Sequence, residues 1–209
     1  IWRAVKRIQD EEQKPVIVSM ASSAASGGYY AATGADWIVA NRSTVTGSIG
    51  IFGGKFAVEE GLARIGVNAE TILVGGEFAG AFATTGAFTD AQRAQFRSFL
   101  KQGYARFTAL VSEGRGMPLE QTDTVARGRV WTGQDALQVG LVDELGGLNT
   151  AIAKARELAE IDEDADVRLV TYPMAAGGLP FLGASSSATA DELKAIGQLA
   201  QIINEPEVQ

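Results

Sequence analysis

No stretch limits the possible folds of this chain as tightly as residues 16–40. It begins with an apolar, β-branched run, Val16-Ile17-Val18-Ser19-Met20, and dissolves into small residues, Ala24-Ala25-Ser26-Gly27-Gly28. Tyr29-Tyr30-Ala31-Ala32 follows. The first run predicts a buried strand over residues 16–20, and the last part a helix over residues 26–33. Gly34-Ala35-Asp36 then turns the chain into Trp37-Ile38-Val39-Ala40, a second short strand. Strand, helix and strand in so few residues make a βαβ unit with a parallel pair. The expected class is therefore α/β, a parallel sheet core flanked by helices.

A strand that breaks into small residues and re-enters a helix holds one side chain at a sharp corner. It also aims backbone N–H groups at whatever sits there. Ser26 stands at that corner, a candidate nucleophile, with the Gly27 N–H as a candidate oxyanion donor. On pattern alone a tight turn that needs small residues explains the stretch more economically. The Gly-x-Ser-x-Gly elbow is not met, because Ala24 takes the first glycine position.

Elsewhere the periodicities predict a helix over residues 1–12, with Trp2, Val5 and Ile8 on one stripe. Alternating glycines in residues 45–54 predict a strand approached closely by another backbone or a ligand. A helix over 55–65, a strand over 68–74 and a partly apolar loop over 75–87 come next. Thr89 and Gln92 have capping-box spacing and open a helix to Gly114, whose aromatic residues are expected in the core. Short helices over 117–126 and 133–139 flank an extended piece at 129–131. Residues 141–147 read as a turn-rich connection in which Asp143 and Glu144 are solvated or capping. A helix at 148–159 and a strand over 166–172 complete a first domain, 1–172. Residues 173–188 have linker composition, and 189–209 predict an amphipathic helix with Leu193, Ile196, Leu199 and Ile203 on one face.

Composition narrows the chemistry. The chain has no histidine and no cysteine. It cannot supply a Ser-His-Asp triad, thiol chemistry or an ordinary zinc site; no cofactor or metal is expected. A base for Ser26 must be a lysine, a carboxylate or a group from elsewhere. A net charge of −7 without a Lys/Arg cluster argues against nucleic acid. Gly53-Gly54-Lys55 precedes Phe56, not Ser or Thr, so it is no P-loop. The start, Ile1-Trp2-Arg3 within a helical pattern, reads as that of a fragment.

Five segments occur in one order: Lys14-Pro15-Val16-Ile17-Val18-Ser19-Met20, Ala24-Ala25-Ser26-Gly27-Gly28-Tyr29-Tyr30, Thr46-Gly47-Ser48-Ile49-Gly50-Ile51, Gly128-Arg129-Val130-Trp131-Thr132-Gly133-Gln134-Asp135-Ala136 and Gly140-Leu141-Val142-Asp143-Glu144-Leu145-Gly146. Together they resemble the signal peptide peptidase A (protease IV) family of serine proteases, specifically the C-terminal half of its long, duplicated form. The resemblance implies a Clp protease/crotonase-type fold, truncated at its N-terminus, and a Ser/Lys dyad that cleaves apolar peptides such as signal peptide remnants. It implies Ser26 as nucleophile, Gly27 as an oxyanion donor and Ser48 as a residue supporting the base. No lysine stands in the Gly75–Gly80 stretch where short members carry it. The base is therefore expected from an N-terminal half outside this chain, and the fragment alone is expected to be inactive. Lys55 remains a local candidate, with an exposed helix-opening role the simpler reading. The resemblance also implies a homo-oligomer, a tetramer favoured, and attachment through an upstream segment to the bacterial inner membrane, the catalytic part on the periplasmic side. Two other readings fit the same fold: an assembly module without catalysis, and an acyl-CoA enzyme of the crotonase type.

Overall fold

A computed structural model describes residues 1–172 except Glu77 and Glu163; the expected linker and terminal helix lie outside the described residues. Residues 1–165 form one body, and 166–172 belong to a second unit.

Helix α1 (Trp2–Glu12) presents its Trp2, Val5 and Ile8 stripe half-buried and ends at Gln13 in the left-handed conformation (φ 53°). Pro15 then bars any continuation. Strand β1 (Ile17–Met20) pairs in parallel with β3 (Trp37–Ala40), which pairs in parallel with β6 (Glu144–Leu145). A second sheet joins β2 (Ser23–Ala25) in parallel to β4 (Val45–Gly47), and β4 antiparallel to β5 (Val130–Thr132). Helices α2 (Gly27–Ala32), α3 (Glu59–Arg64), α4 (Asp90–Arg115), α5 (Leu119–Val125), α6 (Gly133–Gln138) and α7 (Leu148–Leu158) complete the body. The βαβ unit is as expected, and the chain after Met20 changes sheet to do so. Among the described residues no helix is long and apolar enough to cross a membrane.

Met20, Tyr29, Ile38, Val39, Ile49, Val111, Leu141 and Val142 are fully buried. Tyr29 donates its hydroxyl proton to the Leu141 carbonyl at 2.8 Å, and burial pushes that hydroxyl well above the ordinary tyrosine range. Beside it Asp143 is half-buried rather than solvated. Its carboxylate takes Arg115 Nη1 at 2.9 Å and Nη2 at 2.5 Å, and the Ile38 N–H at 2.8 Å. Glu144, expected in a turn, lies in β6 and accepts from Trp37 Nε1 at 3.2 Å.

Several sequence expectations fail for local reasons. The predicted strand 45–54 stops at Gly47, because Gly47 (φ 73°) and Ser48 (φ 49°) leave extended backbone. Residues 68–74 and 166–172 form no strand; Ile72 and Val74 are solvent-exposed and pair with neither sheet. The helix expected over 55–65 shortens to α3. Helix α4 has the expected capping box at Thr89 but runs past Gly114 to Arg115, capped by Gly116 at φ 60°. Gly114 marks a contact, not an end: a Cβ there would stand 1.8 Å from the Thr33 carbonyl oxygen. Gly114→Ala is expected to cost roughly 2–3 kcal/mol by forcing α4 off that carbonyl. Gly61→Ala, where a Cβ meets nothing within 4 Å, is the matched control. Urea midpoints of the two variants check this, and equal midpoints would refute it.

Candidate active site

Ser23, Ala24 and Ala25 have little intrinsic strand preference. What makes them a strand is the partner. Thr46 Oγ1 donates to the Ala24 carbonyl at 2.9 Å, Thr44 Oγ1 to the Ala21 carbonyl at 2.6 Å, and both threonines are fully buried. The register sets Ala25 opposite Gly47, so Ser26 and Ser48 are the next residues beyond two adjacent parallel strands. Neighbouring strands lie about 4.8 Å apart. The Ser26 N–H closes the ladder on the Gly47 carbonyl at 2.8 Å. The carboxyl end of parallel strands is where open α/β sheets place their ligands.

Ser26 leaves this ladder at φ 52°, ψ −113° and caps α2 without using its side chain. A non-glycine residue held there stores about 1–3 kcal/mol. The residue is exposed, and its hydroxyl has no hydrogen-bond partner among the described residues. The glycine signature of an elbow is absent, yet its packing is present. A Cβ on Gly28 would lie 3.8 Å from Ala24 Cβ, so an alanine two residues before the serine leaves room enough. A Cβ on Gly27 would meet nothing within 4 Å. The N–H groups of the first turn of α2, Gly27 included, have no helical acceptor, and they border this open space.

Ser48 is half-buried, and its N–H is fixed to the Arg129 carbonyl at 2.7 Å. The close approach read from the alternating glycines is real. A Cβ on Gly47 would strike Trp131 Cδ1 at 2.6 Å, and one on Gly50 would strike Gly128 Cα at 2.8 Å. Behind this contact stands a group the sequence did not single out. Tyr104 donates its hydroxyl proton to Asp123 at 2.8 Å and accepts from the Arg127 N–H at 3.2 Å; Asp123 also pairs with the Arg127 guanidinium. The guanidinium, and then the Tyr104 hydroxyl, hold the Asp123 carboxyl below the usual range. The run Gly128-Arg129-Val130-Trp131 was the signal for this support, but its partners lie distant in sequence.

The structure thus brings Ser26, Gly27 and Ser48 together. It gives Lys55 another place. The Lys55 ammonium donates to the Ala83 carbonyl at 3.1 Å and lies 4.7 Å from the centre of the Phe88 ring. Phe78, Phe82 and Phe88 join Phe96 and Phe99 of α4 around an apolar pocket of about 460 Å³. Phe99, expected in the core, is 62% exposed on its wall. Among the described residues no cluster of three carboxylates could hold a metal ion.

A family model, Peptidase family S49, matches residues 8–162. Protease 4 of Salmonella typhi is 44% identical over 150 residues, covering 72% of this chain and 24% of that protein. The chloroplastic serine protease SPPA of Arabidopsis thaliana is 40% identical over 182 residues, covering 86% of this chain and 26% of that protein. The chain spans about a quarter of the length of these relatives. Among solved structures, an enoyl-CoA hydratase from Mycobacterium smegmatis is 14% identical and covers 77% of this chain and 42% of its own, with a TM-score of 0.38; so distant a likeness carries no functional argument.

Proposed function

The chain belongs to peptidase family S49 and has the parallel α/β fold of the Clp protease/crotonase type, and on that premise we propose that it carries the nucleophile of a Ser/Lys-dyad peptidase. The observation that carries the reading is Ser26: exposed, strained at positive φ, its hydroxyl without a hydrogen-bond partner among the described residues, at the carboxyl end of two parallel strands.

In the proposed reaction Ser26 Oγ attacks a peptide carbonyl carbon and gives its proton to a lysine amine. The carbonyl oxygen becomes an oxyanion facing the Gly27 N–H. Collapse of the adduct expels the amine, which takes the proton from the lysine, and water then releases the acyl group by the same route. Such donors are worth on the order of 10²–10³ in rate when removed singly. Ser48, adjacent through the register, is the residue proposed to orient the lysine. The lysine itself is proposed to come from an N-terminal half outside this chain, and the chain alone is proposed to be inactive. Substrates are proposed to be apolar peptides, remnants of signal peptides among them. The protein is further proposed to be a tetramer at the bacterial inner membrane, its catalytic part on the periplasmic side; sedimentation velocity and protease accessibility in spheroplasts check it.

A fluorophosphonate probe tests the central assignment. The natural full-length protein is expected to take up one equivalent per site, on the tryptic peptide containing Ser26. Label on another serine, or none, would refute the assignment. The acyl-CoA reading needs no activated serine and predicts no label.

A further inference from the structure

Ser48 has a backbone unusual for a serine. It stands at φ 49° directly after Gly47 at φ 73°, in a region where a residue with a Cβ is strained. Such a conformation persists only where the surroundings hold it. Here the holder is the turn between α5 and β5. Past the end of the β4–β5 ladder, Ser48 donates its N–H to the Arg129 carbonyl at 2.7 Å, and the Gly128 N–H donates to the Ile49 carbonyl at 2.9 Å. The two backbones touch, since a Cβ on Gly50 would stand 2.8 Å from Gly128 Cα. Any movement of residues 127–129 is therefore passed to Ser48.

That turn is strained in its own right. Arg127 (φ 57°) and Gly128 (φ 73°) are consecutive left-handed residues, and only the glycine is suited to it. Arg127 is held from two sides. Its N–H donates to the Tyr104 hydroxyl at 3.2 Å, and its guanidinium donates to the Asp123 carboxylate through Nε at 2.9 Å and through Nη2. Tyr104 closes the ring by donating to the same carboxylate at 2.8 Å. Burial, and then the Asp123 carboxylate, push the Tyr104 hydroxyl above the ordinary tyrosine range, so it keeps its proton and fills both roles. Asp123 belongs to α5 and Arg127 to the turn itself, whereas Tyr104 comes from the middle of α4 and ties the turn to that helix. The Arg127 and Asp123 side chains are 65% and 37% exposed. An ion pair so exposed contributes little to stability; what the ring fixes is geometry.

We propose that Tyr104 is a positioning residue for the reaction: through the Arg127–Gly128 turn it fixes Ser48, and through Ser48 the base. This role rests on the peptidase reading above, in which Ser48 orients the lysine. The Tyr104 hydroxyl is spent on Asp123 and Arg127, so it acts only through them. A displacement of about 1 Å at a group that aligns the reacting atoms can cost on the order of 10²-fold in rate.

The test uses the natural full-length protein, with kcat counted per folded molecule. Tyr104→Phe keeps the ring and removes only the hydroxyl. It is expected to lower kcat about tenfold and leave KM within about twofold. Asp123→Ala, which breaks the same ring from α5, is expected to lower kcat about threefold, and it keeps the idea falsifiable if the first variant does not fold. The decisive comparison is a double-mutant cycle with Ser48→Ala. In that background Tyr104→Phe is expected to change kcat by less than about twofold, because the group it positions is gone. A purely structural tyrosine would lower the melting temperature and give the same factor in both backgrounds. Equal factors in the two backgrounds, or kcat unchanged in both Tyr104→Phe and Asp123→Ala, would overturn the role of Tyr104 while Ser26 labelling stands. Absence of fluorophosphonate labelling in the unmodified protein would overturn the peptidase reading, and the role of Tyr104 with it.

Discussion

Ser26→Ala in the natural full-length protein is expected to lower kcat for peptide hydrolysis by on the order of 10⁴–10⁶, with KM nearly unchanged. Removing the nucleophile of a serine peptidase leaves only what the oxyanion donors and substrate binding supply. Ser48, the neighbouring serine, is half-buried with its backbone held to the Arg129 carbonyl, and is not expected to take over. Stability supplies the internal control. The side chain makes no hydrogen bond among the described residues, and alanine at φ 52° is as strained as serine. Unfolding midpoints of the variant and the parent are therefore expected to agree within about 0.5 kcal/mol. Ser26→Gly should be equally inactive yet more stable by about 1 kcal/mol, because glycine tolerates positive φ without the Cβ penalty. Residual hydrolysis above a few per cent in a folded Ser26→Ala protein would place the nucleophile elsewhere.

The parallel unit was legible because its evidence is local: two apolar runs separated by a helix of suitable length. The capping box of α4 was legible for the same reason. Strand β2 was not, since Ser23-Ala24-Ala25 has no propensity of its own and is made a strand by its pairing with β4, where Thr46, some twenty residues away, holds the Ala24 carbonyl. The reverse error occurred at residues 68–74. There Ile72, Leu73 and Val74 suit a strand, but they lie exposed and pair with neither sheet. Gly114 passes for a stop because a helix-ending glycine and a glycine yielding to a crossing carbonyl look alike in sequence.

The candidate site divides along the same line. Ser26 and Gly27 could be picked out from a strand-to-helix corner, and the closeness of another backbone from the glycines at 47 and 50. That Ser48 stands beside Ser26 follows only from register, which the sequence does not display. The Tyr104, Asp123 and Arg127 group was invisible, because its members lie on α4, on α5 and in the turn that follows α5. Lys55 illustrates the limit of motif proximity: near Ser48 in sequence, its ammonium is held by Ala83 and Phe88.

Asp143→Ala is expected to destabilise the protein by about 3–5 kcal/mol, a large part of the total stability of a typical domain. The Arg115 side chain is only 8% exposed, and removing its partner leaves a guanidinium charge without compensation. The same change deprives the Ile38 N–H of its acceptor. The damage should spread toward the site. Residues 140–143 form a short ledge on which three elements meet: Arg115 Nε bonds the Gly140 carbonyl at 3.0 Å, Tyr29 of α2 bonds that of Leu141, and Arg115 and Ile38 share Asp143. Helix α2, whose N-cap is Ser26, is therefore tied to the same ledge. Activity should fall in step with the unfolded fraction on heating, while well below the midpoint kcat stays within a few-fold. Charge, not shape, is the cause, and the double variant Arg115→Met/Asp143→Leu separates the two. It removes both charges, and it should recover most of the loss, giving a coupling of several kcal/mol in a double-mutant cycle by urea unfolding. A double variant as unstable as the sum of its singles would show that the ledge depends on packing and not on the ion pair.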